Sequence, residues 1–184
     1  MNRRAALIAV ALASLLIVLY LVLRSGGGGG GEVSAPGVLP TPTPAPEQKV
    51  MLLFLGRDGL LHPELRMVSL PAETEQRVRA VVSEILAGPS GRLLPVVPYQ
   101  AQLLDVFIDG DGHAFVDLSP PDHRLEGSNI ELVLTYGIVD SVLLNCPDLV
   151  GVQILFGGHE VPTLTGHLDL SAPLRLNKGL IATS

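Results

Sequence analysis

The stretch Glu73 to Pro89, ETEQRVRAVVSEILAGP, decides the fold because it predicts one amphipathic helix with a sharp end. Gly88 can adopt the left-handed conformation that closes a helix, and Pro89 cannot continue it. The apolar residues recur at intervals of three and four, which places them on one helical face: Val78, Val81, Val82, Ile85 and Leu86. Such a face needs an apolar partner, and strand-like runs lie on both sides of it in sequence.

Two short apolar runs before the helix predict strands. Val50 to Leu55 (VMLLFL) is too short for a helix and is followed by Gly56 and Gly59, so we expect a strand covered on both faces. Leu65 to Leu70 is interpreted as a second strand. After the helix, Leu94 to Pro98 holds two prolines, which restrict the backbone, and it predicts a connector.

Gln102 to Asp109 and His113 to Ser119 predict a hairpin with a three-residue loop. Residues opposite each other in an antiparallel pair point to the same side, so the apolar alternation fits only if Asp109 faces His113. Gly112 then takes the left-handed position. The expected inner face holds Leu104, Val106, Ile108, Ala114, Val116 and Leu118. The outer face then pairs Phe107 with Phe115, Asp105 with Asp117, and Asp109 with His113.

The rest of the chain adds a second helix and further strands. Ser128 with Glu131 three residues later fits a capping box, and the helix that follows is apolar on nearly all sides up to Pro147. Val150 to Phe156 predicts a strand, Val161 to Leu170 a short strand, and the tail beyond Pro173 is expected to be loosely held. We therefore predict an α+β fold, with two helices on one face of a mixed or antiparallel sheet.

Residues 1–48 predict an anchor and a linker. Ala5 to Leu23 is a 19-residue apolar run, near the length of a bilayer span, and Arg3 and Arg4 precede it. Because no cleavage signature follows, an uncleaved signal anchor is favoured over a cleaved signal peptide. The predicted organisation is therefore a single-pass anchor over residues 1–24, a Gly/Pro linker over 25–48 and an extracytoplasmic domain over 49–184.

Composition restricts the partners of this domain. Lys49 to Ser184 carries 9 Lys plus Arg against 16 Asp plus Glu, a net charge of −7 with neutral histidines. This negative charge argues against binding to nucleic acid and against adhesion to anionic membrane surfaces. Cys146 is the single cysteine, so no intrachain disulfide can form. We expect no cofactor, and no pattern indicates a small-molecule substrate.

Short, mostly apolar motifs follow one another in order along most of Val50 to Leu170: Leu52-Leu53-Phe54-Leu55 with Leu60 and Leu61, Ile85-Leu86-Ala87-Gly88-Pro89, Val97-Pro98, Val116-Asp117-Leu118-Ser119, Ile138-Val139-Asp140-Ser141-Val142-Leu143 and Val152-Gln153-Ile154. This ordered set resembles the GerMN domain of bacterial sporulation and spore-germination proteins and related envelope lipoproteins.

This resemblance implies an extracytoplasmic α+β module that takes part in assembly, with a fold similar to ring-building domains of secretion-type complexes. It also implies a role connected with sporulation or germination. Two departures concern that role: this sequence holds one copy of the domain, and its predicted anchor is a membrane helix where many relatives carry a lipid.

The polar motifs give weak indications of chemistry. Asp109-Gly110-Asp111-Gly112 suggests calcium, but His113 and Pro120 stand where an EF-hand needs ligands. Asp105 and Asp117 would lie ~5 Å apart, where they could bind a cation or share a proton, although we favour two hydrated carboxylates that point to solvent. Cys146 fits a small buried residue better than a nucleophile. The histidines match no standard zinc spacing.

Two classes of function remain from the sequence. The first is a non-enzymatic binding or assembly module of the envelope, which self-associates or joins other envelope proteins. The alternative is a cell-wall hydrolase or metal-dependent enzyme that uses acids of the outer sheet face. We favour the first, with the interaction surface at Phe107, Phe115, Asp105, Asp109 and Asp117. The tail beyond Pro173 could instead cover that face.

Overall fold

The structure is a computed structural model that describes residues 45–125 and 128–183. The anchor predicted at Ala5 to Leu23, and all of the linker before residue 45, lie outside these ranges. Within the described ranges, no helix is both long enough and apolar enough to cross a membrane.

The described chain has an α+β fold with two helices, as predicted, but its strands form two sheets where one was expected. A short 3-10 helix, Lys178–Leu180, lies near the end of the chain. In chain order the strands and helices are β1 (Glu47–Leu55), β2 (Leu61–Ser69), α1 (Thr74–Leu86), β3 (Leu103–Ile108), β4 (His113–Leu118), α2 (Ser128–Asn145), β5 (Gly151–Phe156) and β6 (His159–Glu160).

The sheets differ in strand direction because their connections differ in length. β1 and β2 form an antiparallel pair, and the second sheet has the order β3-β4-β5-β6. In that second sheet β4 and β5 run parallel, and the other two pairs are antiparallel. A parallel pair needs a long crossover, which α2 supplies between β4 and β5.

The single-sheet prediction was wrong because α2, and not another strand, occupies the free edge of β1. Ser141 of α2 accepts a hydrogen bond from the Leu53 N–H at 2.9 Å. Asn145, one turn later, accepts from the Met51 N–H at 3.0 Å and donates to the Met51 carbonyl at 2.8 Å. These two side chains satisfy backbone groups that a neighbouring strand would otherwise pair.

Helix α1 forms as its sequence predicts. The Glu73 carboxylate caps its start by accepting from the N–H groups of Glu75 and Gln76. Gly88 has φ +84°, the left-handed conformation expected just after the last turn. The predicted apolar stripe is buried, with Leu86 half-buried at its edge: Val78, Val81, Val82 and Ile85.

The β3–β4 hairpin has the predicted register, with Phe107 opposite Phe115 and Gly112 at φ +84°. The expectation that Leu104 lies in the core was wrong, since it is 47% exposed. The pairing slips by one residue between Leu103 and Asp105, so a bulge turns Leu104 outward.

Helix α2 is buried on several sides and packs very closely at one point. A Cβ atom on Gly137 would lie 2.7 Å from Val96 Cγ1, so only glycine permits this approach. Glu131, which was predicted to cap the start of its own helix, turns its carboxylate to the loop after β6 and accepts hydrogen bonds from residues 163–168.

The chain after β5 also departs from the prediction. The short strand lies at His159–Glu160, and residues 161–170 form a loop without the expected strand. The tail is not loosely held: Leu174 forms an antiparallel bridge with Val152, and Ile181 forms a parallel bridge with Leu61. The tail is thereby fastened to both sheets.

Candidate functional site

The outer face of the β3–β4 hairpin carries an exposed aromatic stack. Phe107 and Phe115 face each other across the two strands, with ring centroids 4.6 Å apart and planes inclined by 4°. Phe107 is 43% exposed and Phe115 is half-buried. Because the register places both rings on one side of the sheet, the pair presents a flat apolar surface to solvent.

The tail covers the neighbouring strand and leaves Phe107 open. Gln153 of β5 lies opposite Phe115, is buried, and donates to the Leu170 carbonyl at 3.4 Å. Pro173 lies against Gly151, where a Cβ atom would be 3.2 Å from the proline Cβ. Residues 170–173 therefore lie against β5 on this side of the sheet, and Phe107 on the outer strand β3 stays exposed.

Asp105 lies beside the aromatic stack and is held by a helix. Arg79 of α1 forms an ion pair with Asp105 and also donates to the Val106 carbonyl at 2.9 Å. Asp105 in turn accepts from the Val106 N–H at 2.8 Å. The hydrogen bond from Arg79 is the main cause that lowers the pKa of Asp105. Together the two side chains satisfy the free edge of β3 at Val106.

Asp117 does not belong to the exposed surface, since only 8% of it is accessible. It accepts a hydrogen bond from the Gly158 N–H at 2.9 Å, in the turn after β5. The expectation that both carboxylates point to solvent was therefore wrong for Asp117. Asp105 and Asp117 stand opposite each other in the register. Their carboxylates nevertheless have different partners, since Asp105 pairs with Arg79 and Asp117 accepts from the Gly158 N–H.

Asp109 closes the hairpin at the edge of the face. One of its carboxylate oxygens accepts from the N–H groups of Asp111 and His113 at 2.9 and 2.8 Å, and the other lies 3.0 Å from His113 Nδ1. The backbone hydrogen bond from His113 is the main cause that lowers the pKa of Asp109. Potential ligand atoms of all three side chains lie within 4.8 Å of one another. The turn itself accounts for this arrangement without an ion.

Cys146 is buried at the end of α2, as its sequence context suggests. Burial raises the pKa of its thiol to about 11, so the thiolate that a nucleophile requires is scarce at neutral pH. Among the predicted alternatives, this environment supports a packing role.

Sequence reasoning missed Asp140, a buried carboxylate of α2 that fastens the tail. Asp140 is 0% exposed, and its Oδ1 accepts from the Asn177 N–H at 2.9 Å. Its Oδ2 has no hydrogen-bond partner among the described residues. Burial raises the pKa of Asp140 to about 6, against the hydrogen bond from Asn177, which lowers it. An aspartate in the middle of an apolar helix was the available signal.

We expect Asp140→Asn to remove one component of the pH dependence of stability. The folded-state pKa of Asp140, about 6, lies above its ordinary value of 3.8, so burying the charge is unfavourable above pH 6. This penalty disappears as the pH falls from 6 to 3.8. The stability of the asparagine variant relative to wild type should therefore decrease by on the order of 2 kcal/mol between pH 7 and pH 4.

Urea unfolding of both proteins across that pH range measures this difference. Asp111→Asn is the matched control, because Asp111 is exposed at the hairpin tip. A difference between wild type and Asp140→Asn that stays constant from pH 7 to pH 4 would contradict the assignment.

Over the residues that the structure describes, the protein is an α+β domain with two sheets, two helices and one exposed aromatic pair. The chain belongs to the Germane family, described as sporulation and spore germination, whose sequence model matches residues 52–162. This confirms the predicted family. The search of curated proteins finds no match.

Three solved structures are similar to this chain, and the one with a TM-score above 0.5 supports the fold. The tandem GerMN domains of the sporulation protein GerM from Bacillus subtilis match with a TM-score of 0.52 and 20% identity, covering 70% of this chain and 46% of that one. The first GerMN domain of the same protein matches with a TM-score of 0.48 and 18% identity, covering 72% of this chain and 98% of that one. A candidate lipoprotein from Clostridium perfringens matches with a TM-score of 0.49 and 22% identity, covering 71% of this chain and 88% of that one. This chain thus spans about half of the tandem structure.

Proposed function

We propose that this chain is a membrane-anchored, extracytoplasmic binding or assembly module of the bacterial envelope that docks a partner on the Phe107–Phe115 face. Family membership supports the connection with sporulation or germination. The apolar run at Ala5 to Leu23 supports the anchor. The partner is an envelope protein or a second copy of the chain.

The observation that carries the docking proposal is the exposed stack itself. Large apolar side chains grouped on a soluble face tend to mark partner surfaces, and aromatic residues supply much of the binding energy at interfaces. Here two of the four phenylalanines of the chain stand together, and the tail that covers β5 leaves Phe107 exposed. Asp105 and Asp109 border the stack, so the matching surface is apolar with a basic rim.

The geometry favours this proposal over the alternative of an acid-dependent hydrolase. Such an enzyme needs two carboxylates that are free to flank the bond to be cleaved, as in the two-carboxylate hydrolases. Asp105 instead turns to Arg79, and Asp117 turns to the Gly158 N–H. Both acids are engaged in the structure of the sheet, and a non-enzymatic module remains the function that the face supports best.

The test combines Phe107→Ser with a photo-crosslinking amino acid at Asp111, on the hairpin tip beside the face, in the full chain in its native membrane. Truncating an aromatic residue at the hot spot of an interface costs about 2 kcal/mol or more of binding free energy. We therefore expect the yield of crosslinked product to fall by about tenfold or more. The melting temperature should change little, because Phe107 is already half open to solvent.

Leu65→Ser is the matched control, since Leu65 is 56% exposed on the other sheet. It removes a similar amount of exposed apolar surface and should leave the crosslink unchanged. If Phe107→Ser preserves both the melting temperature and the crosslink, this face is not the interaction surface. If it lowers the melting temperature by several degrees, Phe107 serves the fold.

A further inference from the structure

A groove on the first sheet collects positive charge in a domain that is otherwise acidic. It has a volume of about 650 Å³ and lies between the β1–β2 turn and the segment that follows α1. Its lining includes Arg57, Arg92, His62 and Asp58. Its volume is in the range of ligand sites in proteins, roughly 300–1,000 Å³.

A backbone bridge brings the segments that carry the two arginines together at the groove. Leu55 and Leu94 form an antiparallel bridge, with N–H to carbonyl distances of 3.0 and 2.8 Å. Arg57 stands two residues after Leu55, in the β1–β2 turn, and Arg92 stands two residues before Leu94; both side chains are exposed and line the groove. Like charges that share a groove repel. Among the described residues, neither guanidinium has a carboxylate within 4.0 Å.

The acid in the groove is already engaged. Both carboxylate oxygens of Asp58 contact His62 Nε2, at 3.0 and 2.9 Å, and one also accepts from the Leu60 N–H at 3.2 Å. The hydrogen bond from His62 is the main cause that lowers the pKa of Asp58. A Cβ atom on Gly56 would lie 2.6 Å from both His62 Nε2 and Asp58 Oδ1, so glycine is needed for this pair to fold over the turn.

We propose that the Arg57–Arg92 groove binds a doubly charged oxyanion, either a phosphate group or a pair of carboxylates. Guanidinium groups bind both by paired, charge-assisted hydrogen bonds, and a dianion between two arginines relieves their repulsion. The groove is larger than a phosphate group, so it has room for the remainder of a ligand that carries one. This site is separate from the Phe107–Phe115 face and goes beyond the proposed function.

The test is an NMR titration of the ¹⁵N-labelled full chain in neutral detergent, at constant ionic strength, with sodium phosphate in one arm and sodium succinate in the other. We expect saturable shifts of amides in residues 55–62 and 92–94. Saturation by phosphate alone would identify a phosphate ligand, and saturation by succinate alone would identify carboxylates. Shifts that stay linear with both probes would overturn the proposal.

Variants separate specific binding from general charge effects. Arg57→Gln with Arg92→Gln should weaken binding by about tenfold or more, because both charged guanidinium groups and their paired hydrogen-bond donors are lost. Arg57→Lys with Arg92→Lys keeps the charge but not the paired geometry and should give an intermediate loss. Lys49→Gln with Arg175→Gln removes the same charge outside the groove and should bind as wild type. Equal weakening in this control would also overturn the proposal.

Since the groove and the aromatic stack lie on different sheets, the two proposals fail separately. Phe107→Ser should leave the phosphate and succinate titrations unchanged, and the double arginine variant should leave the Asp111 crosslink unchanged.

Discussion

Glu131→Gln should destabilise the domain by about 3–5 kcal/mol, because several loop donors lose their buried, charged acceptor at once. Glu131 is 0% exposed, yet its carboxylate accepts six hydrogen bonds from the loop after β6. Four come from backbone N–H groups and two from the hydroxyls of Thr163 and Thr165. A glutamine amide replaces one acceptor oxygen with a donor, so N–H groups of His167 and Leu168 would face another N–H.

The pH dependence of this effect has a definite direction. Burial alone would raise the pKa of Glu131, but the hydrogen bonds from Thr163 and from the loop N–H groups outweigh it and lower the pKa to about 2. A carboxylate whose folded-state pKa is depressed stabilises the fold above its ordinary value of 4.5 and loses that contribution as the pH falls through 2. The defect of Glu131→Gln should thus be full at pH 7 and shrink as the pH falls from 4.5 to about 2.

Chemical unfolding measures the free-energy loss, and hydrogen exchange locates it. The amides of residues 164, 165, 167 and 168 should lose protection first, because the carboxylate that accepts from them is gone. Glu160→Gln, at an exposed position of β6, provides the control and should be nearly neutral. A loss below about 1 kcal/mol for Glu131→Gln would mean that the loop does not depend on this carboxylate.

Local patterns predicted the parts of the fold that local physics determines. The helix α1 follows from a stripe that repeats every three to four residues and from Gly88 just beyond it. The β3–β4 register follows from the alternation of apolar residues and from a loop that needs a left-handed glycine at position 112. Both were confirmed, including the Phe107–Phe115 pairing. These features depend on neighbours within about twenty residues along the chain.

The missed features depend on contacts between distant segments. Glu131 fits a capping box in sequence, but its partners lie 32–37 residues away. Ser141 and Asn145 reach β1 across 88 and 94 residues, and this contact is what separates the two sheets. A helix side chain that satisfies a strand edge has no periodic signature, so the sequence offered no reason to place α2 there.

The positions of the residues at the candidate surface could be predicted only in part, because the segments that cover this side of the sheet are distant in sequence. Alternation correctly put Phe107, Phe115, Asp105 and Asp117 on one side of the hairpin, but it carries no information on what covers that side. The turn after β5 covers Asp117, and the tail covers β5 through Gln153 and Pro173. The arginine groove depends on a bridge between Leu55 and Leu94, which joins segments with no shared pattern.

Ile85→Ala should lower the free energy of unfolding by about 2–5 kcal/mol, the range for removing a large aliphatic side chain from a well-packed core. Ile85 is 1% exposed and belongs to the stripe with which α1 meets the core. Since alanine forms helices better than isoleucine, the backbone preference slightly offsets the loss and cannot explain a decrease. The effect therefore reports on packing alone.

Leu86→Ala is the comparison that makes this prediction sharp. The two residues are adjacent in the last turn of α1, and both changes delete an aliphatic side chain, but Leu86 is only half-buried. Its loss should therefore cost clearly less than that of Ile85, since part of its surface is in water already. Urea unfolding of the two variants and wild type gives the ratio. Equal losses, or less than about 1 kcal/mol for Ile85→Ala, would show that the stripe of α1 does not form the centre of the core.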